Sequence, residues 1–222
     1  MKLSTKRLNC TLSQQKGSVL IESLIIIPLL ILLTLGILQY TFIYHAKSAL
    51  DYATFMSARA GAVNNINKNS ILSAFIFSLK PLYAHVSSSD ENLSNEIVND
   101  ITRYTNIQIV NPTREAFQDF AVVNKNNKEI PNNRLYVAPI FRGQRSQMNI
   151  QDANILKLRI IYGLQLKIPF VNTIIIKAAS IFMKKPDHEE YLKNNRLPIS
   201  STAIVRMQSP AVYNSWVQGR FK

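Results

Sequence analysis

The hydropathy pattern opens with a stretch that scarcely alternates. Residues 24–43 are apolar at almost every position, interrupted only by Thr34, Gly36, Gln39 and Thr41. A bilayer core of about 30 Å takes about 20 helical residues, so the pattern predicts a membrane-spanning helix over 18–44. Tyr40 and Tyr44 fall at its far end, where aromatic rings suit the interface. Pro28 removes one helical hydrogen bond inside the span. Residues 45–63 are rich in alanine and other helix formers and contain no proline, which predicts that the helix continues. Leu50, Thr54, Ser57 and Gly61 line one face of that extension; Ala46, Ala49, Ala53, Met56 and Ala60 line another. Unbroken to Val63, such a helix is roughly 70 Å long at about 1.5 Å per residue. The asparagine-rich stretch 64–69 reads as a stop and linker.

Beyond it the pattern is that of a globular domain over 70–210, followed by a tail at 211–222 that holds Trp216. Residues 70–83 predict a helix ending near Pro81. Ser89 or Asp90 is placed to cap another, with Leu93, Ile97, Ile101 and Tyr104 at helical spacing. Residues 105–110 favour a strand that ends at Asn111-Pro112, and Thr113 is placed to cap a short helix through Phe120. Residues 124–133 read as a polar loop and 135–138 as a short strand. The clearest strand signal lies in 154–168: Leu156, Leu158 and Ile160 alternate with Lys157 and Arg159, and Leu164, Leu166 and Ile168 with Gln165 and Lys167. Gly163 marks a bulge or turn within it. Pro169 suits the first turn of an apolar helix through Met183, too short to span and either buried in the core or lying at the membrane interface. Residues 184–196 read as a charged loop and 199–208 as a final strand. The fold class is therefore α+β: a long N-terminal transmembrane helix, then an extracytoplasmic domain with an antiparallel sheet.

Charge orients the anchor. Residues 1–17 carry Lys2, Lys6, Arg7 and Lys16 and no acid. The positive-inside rule places this end in the cytoplasm and the bulk of the chain on the other side. A cleaved secretory signal has an apolar region of about 7–15 residues ending in a small-x-small site. Here the run is longer and ends in Ile43-Tyr44-His45-Ala46. An uncleaved signal anchor accounts for everything except Gly17, which closes the basic leader, and Glu22, a carboxylate at the mouth of the span, where charge is costly.

The arrangement Gly17-Ser18-Val19-Leu20-Ile21-Glu22 resembles the processing site of type IV prepilins and pseudopilins. That resemblance implies a cut after Gly17 and a glutamate at position five of the mature chain. Glycine lacks a Cβ and can lie extended in a narrow protease cleft. The freed Ser18 amine, with an unperturbed pKa near 8, is mostly charged at neutral pH. An anion near a helix N-terminus gains only about 0.3–1 kcal/mol, which does not offset burial of Glu22 in lipid. A neighbouring subunit's amine would bring both charges into the apolar core together, and breaking such a pair costs on the order of 3–5 kcal/mol. The alternative is a Glu22 side chain that reaches back to the cytoplasmic headgroups. The cut would also remove Cys10, the single cysteine, leaving no thiol and no disulfide framework.

Further blocks extend the likeness: G-S-V-L-I-E-S-L-I-I-I-P-L-L running on to A-R-A-G-A, then N-P-T-R-E-A-F-Q-D-F, I-P-N, D-A-N-I-L-K-L-R-I-I-Y-G with L-K-I-P-F-V, and S-S-T-A-I-V-R-M-Q-S-P. From Gly17 to Pro210 the chain resembles the TadE-like Tad (tight adherence) pilus assembly proteins. The resemblance implies a minor pseudopilin in the bacterial inner membrane, matured by a prepilin peptidase and needed to build a fibre for adhesion or secretion. Its implied partners are that peptidase, other pilins or pseudopilins, the Tad assembly platform and inner membrane lipid.

The remaining composition argues against chemistry. The net charge of +13 falls to about +9 without the leader's cations. A basic balance suits anionic partners, but the tightest clusters, Arg142-Gly143-Gln144-Arg145 and Lys184-Lys185, are short and lack interleaved aromatics. His45, His85 and His188 are far apart, and Asp187-His188-Glu189-Glu190 reads as a solvated run rather than a metal site. No G-x-S-x-G, H-E-x-x-H or phosphate-cradling glycine loop occurs. No enzyme and no cofactor are expected. Two rival functions remain: a basic DNA-binding pilin, with steep salt dependence, and an uncleaved, membrane-anchored extracytoplasmic binding module that keeps Met1.

Overall fold

One helix, α1 (Lys16–Val63), runs for 48 residues without a break, with Pro28 inside it. In this computed structural model residues 16–83, 91–124, 127–133, 135–138, 140–183 and 186–221 are described. Lys2, Lys6, Arg7, Cys10, His85 and the cap candidates Ser89 and Asp90 lie outside them. The helical elements that follow are α2 (Lys68–Leu79), a 3-10 turn (Lys80–Tyr83), α3 (Glu91–Arg103), α4 (Arg114–Phe120), α5 (Ile150–Ala153), α6 (Val171–Phe182), α7 (Pro186–Lys193) and α8 (Ser215–Gln218). The strands are β1 (Thr105–Asn111), β2 (Val122–Asn124), β3 (Asn127–Ile130), β4 (Ile155–Gln165), β5 (Arg196–Arg206) and β6 (Ala211–Tyr213). Both sheets are antiparallel and three-stranded, in the orders β1-β4-β5 and β2-β3-β6. A long apolar helix followed by a mixed α/β region with antiparallel sheets is the architecture the pattern predicted.

Local chemistry sets the helix starts. The side chains of Asn67, Thr113, Asn149 and Asn214 accept backbone N–H groups of Asn69, Ala116, Asp152 and Val217 at 2.7–3.2 Å, satisfying donors that have no intrahelical partner. The central strand β4 buries Leu156, Leu158 and Ile160 completely and pairs with β5 along its length, from Ile155↔Arg206 to Gln165↔Arg196. Against these elements and α2 packs the second half of α1. Its inward positions are Ala46, Leu50, Ala53, Thr54, Ser57, Ala58, Gly61 and Ala62, nearly all small, so the helix approaches closely. A Cβ on Gly61 would come within 3.0 Å of Ile71 and 3.1 Å of Leu156. At the top of α1 the Ala62 carbonyl accepts the Gln208 and Ser209 N–H groups and the Ser209 hydroxyl, each at 3.0 Å. The same hydroxyl accepts the Asn65 N–H at 2.8 Å.

One polar network ties the layers together. Arg196, 9% exposed, makes paired hydrogen bonds to Asp100 on α3, donates to the Gly163 carbonyl at 3.1 Å and lies 3.7 Å from the Tyr104 ring centre. Beside it the Tyr83 and Tyr162 hydroxyls are hydrogen-bonded. Burial pushes the Tyr162 phenol far above its usual range and raises Tyr83 as well.

Four local expectations are corrected. Within 124–133 the chain forms β3 of a hairpin with β2, because only Ile130 of that strand is fully buried and the rest needs no apolar signal. Residues 135–138 are a turn, with Leu135 buried and Tyr136 and Val137 exposed. The charged stretch 184–196 holds helix α7 and the start of β5; α7 turns His188 and Tyr191 inward while Asp187, Glu189 and Glu190 stay exposed. Gly163 is neither bulge nor turn. It pairs in register with Pro198, and a Cβ there would lie 2.6 Å from the Tyr191 ring.

Candidate functional site

The first half of α1 carries the residues singled out by the sequence. Gly17 and Ser18 lie in its first turn, one residue after the helix begins. Glu22 is exposed, the only Asp, Glu, Lys or Arg between Lys16 and Lys47, and makes no ion pair among the described residues. Around it Ile21 and the large apolar side chains from Leu24 to Leu38, except the half-buried Leu35, are exposed as well. The helix from Ile21 to Val63 is long and apolar enough to cross a membrane, and its most apolar window is not buried at all within the fold. The core helix of a soluble protein would be covered; this segment is bare.

The polar side chains along the bare segment are mostly satisfied from within. Thr34 and Thr41 donate their hydroxyls to the Ile31 and Ile37 carbonyls at 2.8 and 3.0 Å, which keeps them compatible with lipid. Gln39 is different. It is 1% exposed, and its side-chain oxygen accepts the Ile168 N–H at 3.0 Å. The globular part therefore grips the span within its last turns, below Tyr40 and Tyr44. No sequence signal singled out this contact, since Gln39 stood only as a break in an apolar run. Next to it lies a cavity of about 350 Å³ lined by Gln39, Phe42, His45, Leu82, Tyr83 and Lys167, among others.

The remaining sequence candidates do not assemble into a second site. Arg142 and Arg145 lie in a loop tied down by Asp119, which accepts from the Ser146 N–H and hydroxyl, both at 2.7 Å, and from the Arg145 N–H at 3.1 Å. Asp187 accepts from Gln108 at 3.3 Å. Among the described residues no group of His, Cys, Asp or Glu is arranged to hold a metal. Burial, with Glu190 and Asp187 adding to it, pushes the Tyr191 phenol up to about 12.

Comparison with known proteins finds a likeness in this part of the chain. A family model described as TadE-like protein matches residues 17–59, a stretch that opens on Gly17 and contains Ser18, Glu22, the apolar segment and Gln39. No curated protein and no solved structure matches the chain. Over residues 17–59, about a fifth of its length, the chain is similar to the TadE-like protein family.

Proposed function

We propose that the chain is a minor pseudopilin of a Tad-type pilus, cut after Gly17 by a prepilin peptidase and acting in pilus biogenesis, adhesion or secretion. In this reading the helix is a single inner-membrane span with its N-terminus cytoplasmic and the α+β domain on the other side. The observation that carries the reading is the family match beginning at Gly17, with Glu22 as the one Asp, Glu, Lys or Arg between Lys16 and Lys47, on the bare half of α1. Because Gly17 and Ser18 are helical, the peptidase must open the first turn. Glycine weakens that turn by about 1 kcal/mol relative to alanine. Cleavage then turns an internal peptide into a cationic amine one turn from Glu22. When subunits pack side by side, Glu22 of one meets the Ser18 amine of another, and the pair sets their axial register. The partners are that peptidase, other pilins or pseudopilins and the Tad assembly platform.

Mass spectrometry of the protein from its host should find an N-terminus at Ser18. Gly17→Leu should accumulate at precursor size and stay in the membrane. Glu22→Ala should be cut normally yet fail to support fibres. A native chain that keeps its first seventeen residues would sink the reading, and normal piliation with Glu22→Ala would remove the charge pair from it.

A further inference from the structure

Helix α6 buries only Val171, Ile176 and Ala179. Ile175 is half-buried against the core, but the outward side is apolar too: Ile174 is 52% exposed, Ile181 64% and Phe182 84%, and the flanking Phe170 is 77% exposed. A soluble domain rarely leaves such a continuous apolar face bare. The helix holds no Asp or Glu, and its one charge is Lys177, which is exposed one turn from Ile174 and Ile181. The Ser180 hydroxyl is turned back onto the Lys177 carbonyl at 2.7 Å, so it makes no demand on water.

What sets the depth of this face is the contact to α1. Ile168, three residues before α6, donates its N–H to Gln39. Gln39 lies five residues before Tyr44, about 7 Å below it at about 1.5 Å per residue. Interfacial amphipathic helices sit about 5–10 Å into the boundary between headgroups and acyl chains. The backbone between the contact and the helix is also held in an unfavourable form. Phe170 has φ 63° and ψ −54°, and the Val171 N–H closes a tight turn on the Pro169 carbonyl at 2.7 Å. A bulky residue tolerates that conformation only where the surroundings enforce it. Here it presents an aromatic ring outward at the level of the span's end.

We infer that α6 lies flat in the membrane leaflet on the head side of α1, with Phe170, Ile174, Ile181 and Phe182 among the upper acyl chains and Lys177 reaching the headgroup phosphates. The inference rests on α1 being a membrane span. The pseudopilin is then held by a span and a second, parallel footing, which fixes the tilt of its head relative to the bilayer.

The test uses the full chain with Cys10→Ser, so that each introduced cysteine is the only one. Nitroxide labels are placed by Ile181→Cys, Ile174→Cys, Leu33→Cys and Tyr136→Cys, and the protein is reconstituted at low density in phosphatidylcholine–phosphatidylglycerol vesicles. All four positions are exposed, so the substitutions leave the core intact. Collision with dissolved oxygen should exceed collision with a polar nickel chelate severalfold at 174, 181 and 33, and the ratio should reverse at 136. An aqueous signature at 174 and 181 with a lipid one at 33 overturns the inference and leaves the anchor standing. An aqueous signature at 33 as well removes the anchor and the inference together. Exclusion of both quenchers from 174 and 181 shows protein covering the face, from a second copy or otherwise, and also overturns it.

Discussion

Asp119 receives three donors from one short loop: the Ser146 N–H, the Ser146 hydroxyl and the Arg145 N–H. These bonds, the Ser146 ones first, with Arg145's charge adding, hold its carboxyl below the usual value of 3.8. A carboxylate depressed in the folded state stabilises it above the unfolded value and loses that contribution as pH falls through the native one. The loop comes so close that a Cβ on Gly143 would lie 2.3 Å from the Asp119 carboxylate. Asp119→Asn should therefore lower the thermal midpoint at neutral pH. The gap to the parent should close as pH is taken below the carboxylate range, read from melting curves of the detergent-solubilised protein. A gap that stays constant with pH would show that the lost contact is steric rather than ionic.

At the scale of elements, α7 and β4 meet at a place that tolerates no added atom. The Tyr191 ring covers Gly163 so closely that a methyl group would sit 2.6 Å from it. Because the neighbour is a stiff ring inside a packed layer, Gly163→Ala should destabilise by about 1–3 kcal/mol, the range for overfilled cores. Urea unfolding measures this directly; a neutral result would mean that α7 is free to lift. The same contact explains what could be read from the sequence and what could not. The period-two burial of β4 was legible at Leu156, Leu158 and Ile160, and the α4 cap was legible at Thr113. Gly163 reads as a bulge or turn in the sequence because close packing by a residue 28 positions away leaves no local trace. α7 was hidden because its inward positions, His188 and Tyr191, are outnumbered by charges. β3 was hidden because it and its hairpin partner β2 are exposed except near Ile130 and need almost no apolar residues. Residues 135–138 misled for the opposite reason, since Tyr136 and Val137 are apolar yet exposed.

For the whole molecule, the head holds together through contacts that join its layers rather than through cross-links. Arg196 sits between α3, β4 and the Tyr104 ring, with Asp100 as its charge partner. Asp100→Ala would leave a nearly buried guanidinium with only the Gly163 carbonyl and the ring, at a cost of about 1.5–3 kcal/mol for lost bonds to a charged group. Expected is a lower urea midpoint with intact membrane association, scored by flotation. Loss of flotation would mean that the network also shapes the anchor. The proposed processing site rests on local features: a basic leader, a glycine, a carboxylate and an apolar run follow one another in order. The grip of Gln39 on Ile168 was not legible in the sequence, since 129 residues separate its two halves.

The closure of α1 at Ala62 has a consequence for the order of events during synthesis. The groups that complete its top turn come from Gln208 and Ser209, the latter 147 positions downstream. The bare N-terminal half of the same helix needs none of them. A ribosome therefore finishes the lipid-facing portion long before it delivers the pieces that lock the other end. Throughout that interval the leader's junction is available while the head is still an open chain. Under the proposed processing after Gly17, trimming would have no structural reason to wait for the head to assemble.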